Sequence, residues 1–124
     1  MVEIGIKGKQ DTTVTNANVA TNVGSGKVQV FATPMMIALM EKAAALSIEP
    51  VLDSGQSSVG TRINVSHCAA TPMGMHVWAE TEVIEIDRRR VTFSVKAYDE
   101  RGLIGEGTHD RFRDTYKFPC ENLT

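Results

Sequence analysis

The chain has 124 residues, 42% of them hydrophobic and 23% charged, with a formal net charge of −2. That is one domain's worth of chain, long enough to bury a core without disulfides or metal, and the near-neutral balance speaks against a nucleic-acid partner. No apolar run reaches the ~20 residues of a membrane-spanning helix, and the opening MVEIGIKGKQ lacks the apolar core of a secretory signal.

The first 20 residues carry two short alternating stretches, VEIGIK and TTVTNANVA, each a candidate strand. TNVGSGKVQVF is ambiguous, either a loop or a short helix and strand. ATPMMIALMEKAAALSI predicts a helix with Thr33 at the N-cap and Pro34 at the first helical position. Pro50 marks where the chain turns away, and LDSGQSSVG reads as loop. From Thr61 the pattern becomes strand-like: TRINVSHCAA alternates, with Ile63, Val65, His67 and Ala69 on one face. TPMGM is a turn, HVWAETEVIEI a long strand and DRR a tight connection. VTFSVKAY places Val91, Phe93, Val95 and Ala97 on one face, and DERG turns into LIGEGTHDRF. Three long strands with short turns make an antiparallel meander. The helix is apolar on nearly every side from Met35 to Met40, so a sheet has to wrap it. The expected fold is α+β, a single domain over 1–124 with one long central helix wrapped by a curved antiparallel sheet. That is the description of a hot-dog fold.

Among residues able to carry chemistry, Glu41 sits within that helix beside Leu39, Met40 and Ala44. Either the helix turns Glu41 and Lys42 to solvent, or the carboxylate is partly buried and suited to base catalysis near neutral pH. His67 shares its face with Ile63 and Val65, as a core histidine satisfied by a carbonyl or as a catalytic one. Cys68 points the other way, which removes a Cys-His nucleophilic pair and leaves the cysteine to packing. Cys68 and Cys120 read as reduced thiols of a cytoplasmic protein. His67, His76 and His109 share no ligand spacing, so no metal is expected. Capping explains Thr33, although a hydroxyl at a helix N-terminus also suits acyl chemistry. Thr33 and Glu41 lie roughly 12 Å apart along a helix axis. Either a substrate lies between them, or one site takes them from different subunits. DRRR is most simply a solvated hairpin turn, with phosphate binding the alternative. HDRFRD places His109, Arg111 and Arg113 on one strand face.

The stretches VFATPMMIALMEKAA, SVGTRINVSHCAATPMGM and IGEGTHDRF occur in that order between residues 30 and 112. Together they resemble the hot-dog thioesterases, in the branch that includes fluoroacetyl-CoA thioesterase. The resemblance implies Thr33, Glu41 and His67 as the catalytic set and the Gly60 amide as a donor to the acyl carbonyl. It also implies Arg111, with His109 beside it, as contacts for CoA. A homodimer with sites at the subunit interface and no metal or cofactor beyond the acyl-CoA substrate completes the expectation. The fluoroacetyl-specific branch has an aromatic-rich lid before the helix, where this chain has GSGKVQVF with Phe31 alone, which points away from fluoroacetyl selectivity. The expected activity is hydrolysis of a small or medium acyl-CoA, with Glu41 acting as base or nucleophile. The alternatives are a hot-dog enoyl-CoA hydratase or dehydratase and a non-catalytic acyl-CoA-binding protein.

Overall fold

The structure is a computed structural model that describes residues 1–116; Cys120 lies outside them. In chain order the elements are strand β1 (Lys7–Thr13), short helix α1 (Ala20–Val23) and long helix α2 (Thr33–Ile48). A 3₁₀ turn at Glu49–Val51 leads to β2 (Ser57–His67), β3 (His76–Asp87), β4 (Arg90–Asp99) and β5 (Gly102–Asp114). The strands form one antiparallel sheet in the order β1-β3-β4-β5-β2, so the expected meander occupies its centre. Alternation along the meander buries Val77, Ala79 and Val83 of β3 and Val91, Phe93, Val95 and Ala97 of β4. Met36, Met40, Ala43, Ala44 and Ile48 of α2 pack on that face and complete the core.

Helix and sheet lie close together because the sheet omits side chains where they meet. A Cβ on Gly8 would run into the Ala43 carbonyl and lie 2.8 Å from Ser47 Cβ, and one on Gly105 would lie 2.6 Å from Met36 Sδ. The sheet covers one face of α2 and leaves Ala38, Lys42 and Leu46 exposed, so the wrapping expected for an all-round apolar helix is one-sided within a single chain. Among the described residues no helix is long and apolar enough to cross a membrane.

Three boundaries differ from the sequence reading. The two N-terminal candidate strands are replaced by one, β1, which takes the end of the first and the start of the second. Gly5, at φ 97°, breaks the first. The second ends because the Asn18 side chain folds back, accepting from the Thr15 amide at 2.8 Å and donating to the Thr13 carbonyl at 3.0 Å. At α2 the cap position is Ala32, whose carbonyl accepts from Met35 and Met36, and Thr33 is the first helical residue rather than the N-cap. Strand β2 begins at Ser57, inside the expected loop, because Ser57–Gly60 pair with the far end of β5; it ends at His67, before Ala69.

Gly8→Leu tests the close approach: overpacking against the α2 backbone is expected to lower unfolding free energy by about 1–3 kcal/mol, read from the urea midpoint at unchanged slope.

Candidate active site

Two clusters of functional side chains lie along α2. The first is at its N-terminal end. Since Ala32 occupies the cap, the Thr33 hydroxyl is free to turn outward, and its Oγ1 lies 2.7 Å from His67 Nδ1. His67 is the last residue of β2, paired with Gly105 of β5. Burial lowers the pKa of His67 from the ordinary histidine value, with the Ala69 carbonyl opposing more weakly. The ring is therefore neutral at neutral pH and has one nitrogen available as an acceptor. Its Nε2 is buried without a hydrogen-bond partner, which is costly unless the site puts it to use.

A cavity of about 350 Å³ opens beside this pair, bordered by Lys27, Val30, Phe31, Thr33, His67 and Cys68 among others. Cys68 is a free, exposed thiol on the cavity rim, so its assignment to packing is corrected. It follows the last residue of β2, where the strand has ended and no second layer covers it.

A buried acid anchors both sides of this pair. Asp99 is 2% exposed and accepts from Thr71 Oγ1 at 2.8 Å, the Arg101 amide at 2.7 Å and Arg101 Nη2 at 3.1 Å. Arg101 also donates to the Ala70 carbonyl at 2.5 Å, and the Thr71 carbonyl accepts from the Phe31 amide at 2.8 Å. Asp99 thus ties the loop after His67 to the segment entering Thr33. Burial alone would raise its pKa, but the Thr71 hydroxyl and then the Arg101 amide and guanidinium outweigh burial and hold it below the usual value. The sequence reading missed this anchor; an acid in a DERG turn carries no signal that sets it apart from a solvated one.

The second cluster surrounds Glu41, two turns further along α2. Glu41 is half-buried while Lys42 is exposed, which settles the choice left open by the sequence. It faces Gly60: a Cβ there would lie 2.9 Å from Glu41 Oε2 and 3.0 Å from His109 Cε1. Strict alternation back from Ile63 would have turned Gly60 outward. The register shift between Gly60 and Arg62 makes Thr61 the extra residue of a bulge, so that Gly60 lies opposite Arg111 and Ile63 opposite His109.

Arg111 is held by Ser58, to whose hydroxyl its Nε donates at 2.9 Å and to whose carbonyl its Nη2 donates at 3.0 Å. His109 Nδ1 lies 2.8 Å from the Arg62 carbonyl. A carbonyl only accepts, so Nδ1 carries the proton, and Nε2 accepts from Arg111 Nη1 at 3.1 Å. Burial lowers the His109 pKa, the Arg62 carbonyl opposes it, and the Arg111 charge lowers it further, which agrees with a neutral ring. Burial likewise pulls the Arg111 pKa down, and the Glu41 carboxylate pushes back. His109 is 1% and Arg111 8% exposed. The sheet places both under α2, around Glu41 and Gly60.

Within one chain the structure thus brings Thr33 to His67, and Glu41 to Gly60, Arg111 and His109, as separate clusters. The same strand, β2, carries a member of each.

The family model for the fluoroacetyl-CoA-specific thioesterase FlK matches residues 14–113. The fluoroacetyl-CoA thioesterase of Streptantibioticus cattleyicolor is 43% identical over 83 residues, 67% of this chain and 60% of that protein's length. A crystal structure of a variant of the fluoroacetyl-CoA-specific thioesterase FlK with fluoroacetate and CoA superposes with a TM-score of 0.85 at 31% identity, covering 99% of this chain and 100% of that one. A hot-dog-like protein from Thermanaerovibrio acidaminovorans has a TM-score of 0.84 at 23% identity, covering 97% and 89% of the two chains, a likeness of fold. The α+β hot-dog architecture expected from the sequence is thereby established.

Asp99→Asn keeps the shape of the anchor and removes its charge; it is expected to cost about 2 kcal/mol of stability at neutral pH. Because folding lowers the Asp99 pKa, the wild type's advantage is fully present above the ordinary carboxylate value of 3.8 and shrinks as pH falls through the lower folded-state value. Urea unfolding of both proteins across acid pH reads the difference.

Proposed function

The chain belongs to the fluoroacetyl-CoA-specific thioesterase family, and we propose that it is a homodimeric acyl-CoA thioesterase that hydrolyses a small or medium acyl-CoA to the free acid and CoA. The observation that carries this reading is the Thr33–His67 contact at 2.7 Å, with His67 Nε2 buried and unpartnered beside an open cavity. A thioester is already activated toward attack, so a carboxylate, an imidazole and a few donors suffice without metal or cofactor.

Glu41 supplies the attack. As general base it takes a proton from water, and the hydroxide adds to the thioester carbonyl. As nucleophile it adds directly, giving an anhydride that water then cleaves. In both routes the C–S bond breaks, CoA leaves as thiolate and the proton released from water ends on sulfur. Arg111, fixed by Ser58 and His109, places a positive charge near the Glu41 carboxylate. The Gly60 amide, beside the bulge, donates to the oxygen on which charge develops. His67 and Thr33 position the thioester, and the imidazole serves the leaving sulfur.

The two clusters form one site across a two-fold axis. Strand β2 is an edge of the sheet, with 11 residues and partly exposed Val59 and Ile63, at 36% and 37%. A long edge strand of this kind leaves a row of backbone groups open to pairing with a partner. Antiparallel pairing of two β2 strands about their middle sets Gly60 and Glu41 of one chain near His67 and Thr33 of the other. A cytoplasmic location suits the free, exposed Cys68.

Thiol release from a panel of acyl-CoAs tests the activity, and Glu41→Gln is expected to lower kcat by roughly 10²-fold or more. Enoyl-CoA hydration without thiol release would sink the thioesterase reading. Separately inactive Glu41→Gln and His67→Ala proteins, mixed under subunit exchange, should regain about a quarter of wild-type activity if each site draws on both chains, and none if it does not. The neutral form of His67 persists below the ordinary 6.5, so the acid limb of wild-type kcat/KM that it governs should fall below that pH.

A further inference from the structure

The cavity beside Thr33 and His67 has a charged wall that thioester hydrolysis itself does not require. Gly24, at φ 78°, ends α1 and turns the chain into the stretch SGKVQVF. That stretch is pinned at its far end, where Val30 bridges Pro72 and the Phe31 amide donates to Thr71. Lys27 sits between these fixed points and borders the cavity together with Thr33 and His67. It is the single ionic residue of the lining; no carboxylate faces it there. Among the described residues Lys27 has no hydrogen bond or ion pair with another side chain. The remaining walls are largely apolar, with Ala20, Val28, Val30, Phe31, Ala69 and Ala70.

With His67 neutral, the one charge bordering the cavity is the exposed Lys27 ammonium. In a cleft, an ammonium and one opposite charge on a bound ligand attract each other more strongly than they do in open water. We propose that the acyl group hydrolysed here ends in a carboxylate, so that the substrate is a short ω-carboxyacyl-CoA whose thioester meets Thr33 and His67 and whose acid end meets Lys27. The long, flexible lysine stem lets the ammonium follow acyl chains of different length. The assignment rests on the thioesterase reading above and names the acyl class for the same site.

The test measures thiol release from malonyl-CoA, succinyl-CoA and butyryl-CoA by the wild type and by Lys27→Gln and Lys27→Arg. Lys27 lies on an exposed loop, so both variants are expected to fold. The wild type should prefer the acidic acyl groups, with Lys27→Gln losing about 10–100-fold in kcat/KM on them and keeping its rate on butyryl-CoA. Lys27→Arg should recover part of the loss. A wild-type preference for butyryl-CoA overturns the proposal, and so does an equal loss on all three substrates, which would assign Lys27 to the shared CoA moiety. Thiol release from none of a wide acyl-CoA panel would instead remove the thioesterase reading itself, an outcome distinct from release without acid preference.

Discussion

Close packing of α2 on the sheet is the constraint on which the rest depends. The helix comes near enough for its backbone and Met36 to occupy space where β1 and β5 carry only Gly8 and Gly105. That contact sets the height of the helix above β2, and it decides which strand residue each helical side chain meets. Thr33 then reaches the end of β2, and Glu41 reaches Gly60 near its beginning. A helix held farther off by ordinary side chains would leave both polar groups without these neighbours.

The polar groups held in this arrangement fall into two electrostatic environments. Around Glu41 the sheet provides a buried guanidinium whose hydrogen bonds go to Ser58 and a neutral His109. Desolvation strengthens the attraction between Arg111 and Glu41 and is tolerated because the guanidinium is satisfied on its other sides. Around Thr33 the imidazole is neutral, and the fixed charge lies one layer back, on Asp99. The buried acid there stiffens two loops that meet at the cavity and does not itself face the Thr33–His67 pair.

Much of the fold was legible because its signals are local. Helix α2 shows in its run of apolar helix formers and Pro34, and β3, β4 and β5 show in period-two alternation between short turns. The N-terminal stretch was misread because its alternation continues through Gly5 and Asn18, whose turn conformations depend on bonds to Val83, Thr13 and Thr15. Of the candidate site, the sequence reading named Thr33, Glu41 and His67 and foresaw the separation of Thr33 from Glu41 along one helix. The cap at Ala32 was missed because neighbouring residues compete for that position and Thr33 is drawn away by His67.

Residue order by itself determined the long helix and the central strands with their apolar faces, because each follows from the geometry of a single helix or strand. Only the tertiary structure decided that Gly60 faces Glu41, since a one-residue bulge reverses strand parity and exists only through the register against β5. The strand pairing likewise buries Arg111 and His109 beside Gly60, and the fold makes Asp99 an anchor by bringing Thr71 to it across 28 residues. Such roles depend on which strand lies alongside, a property that no local stretch of sequence contains.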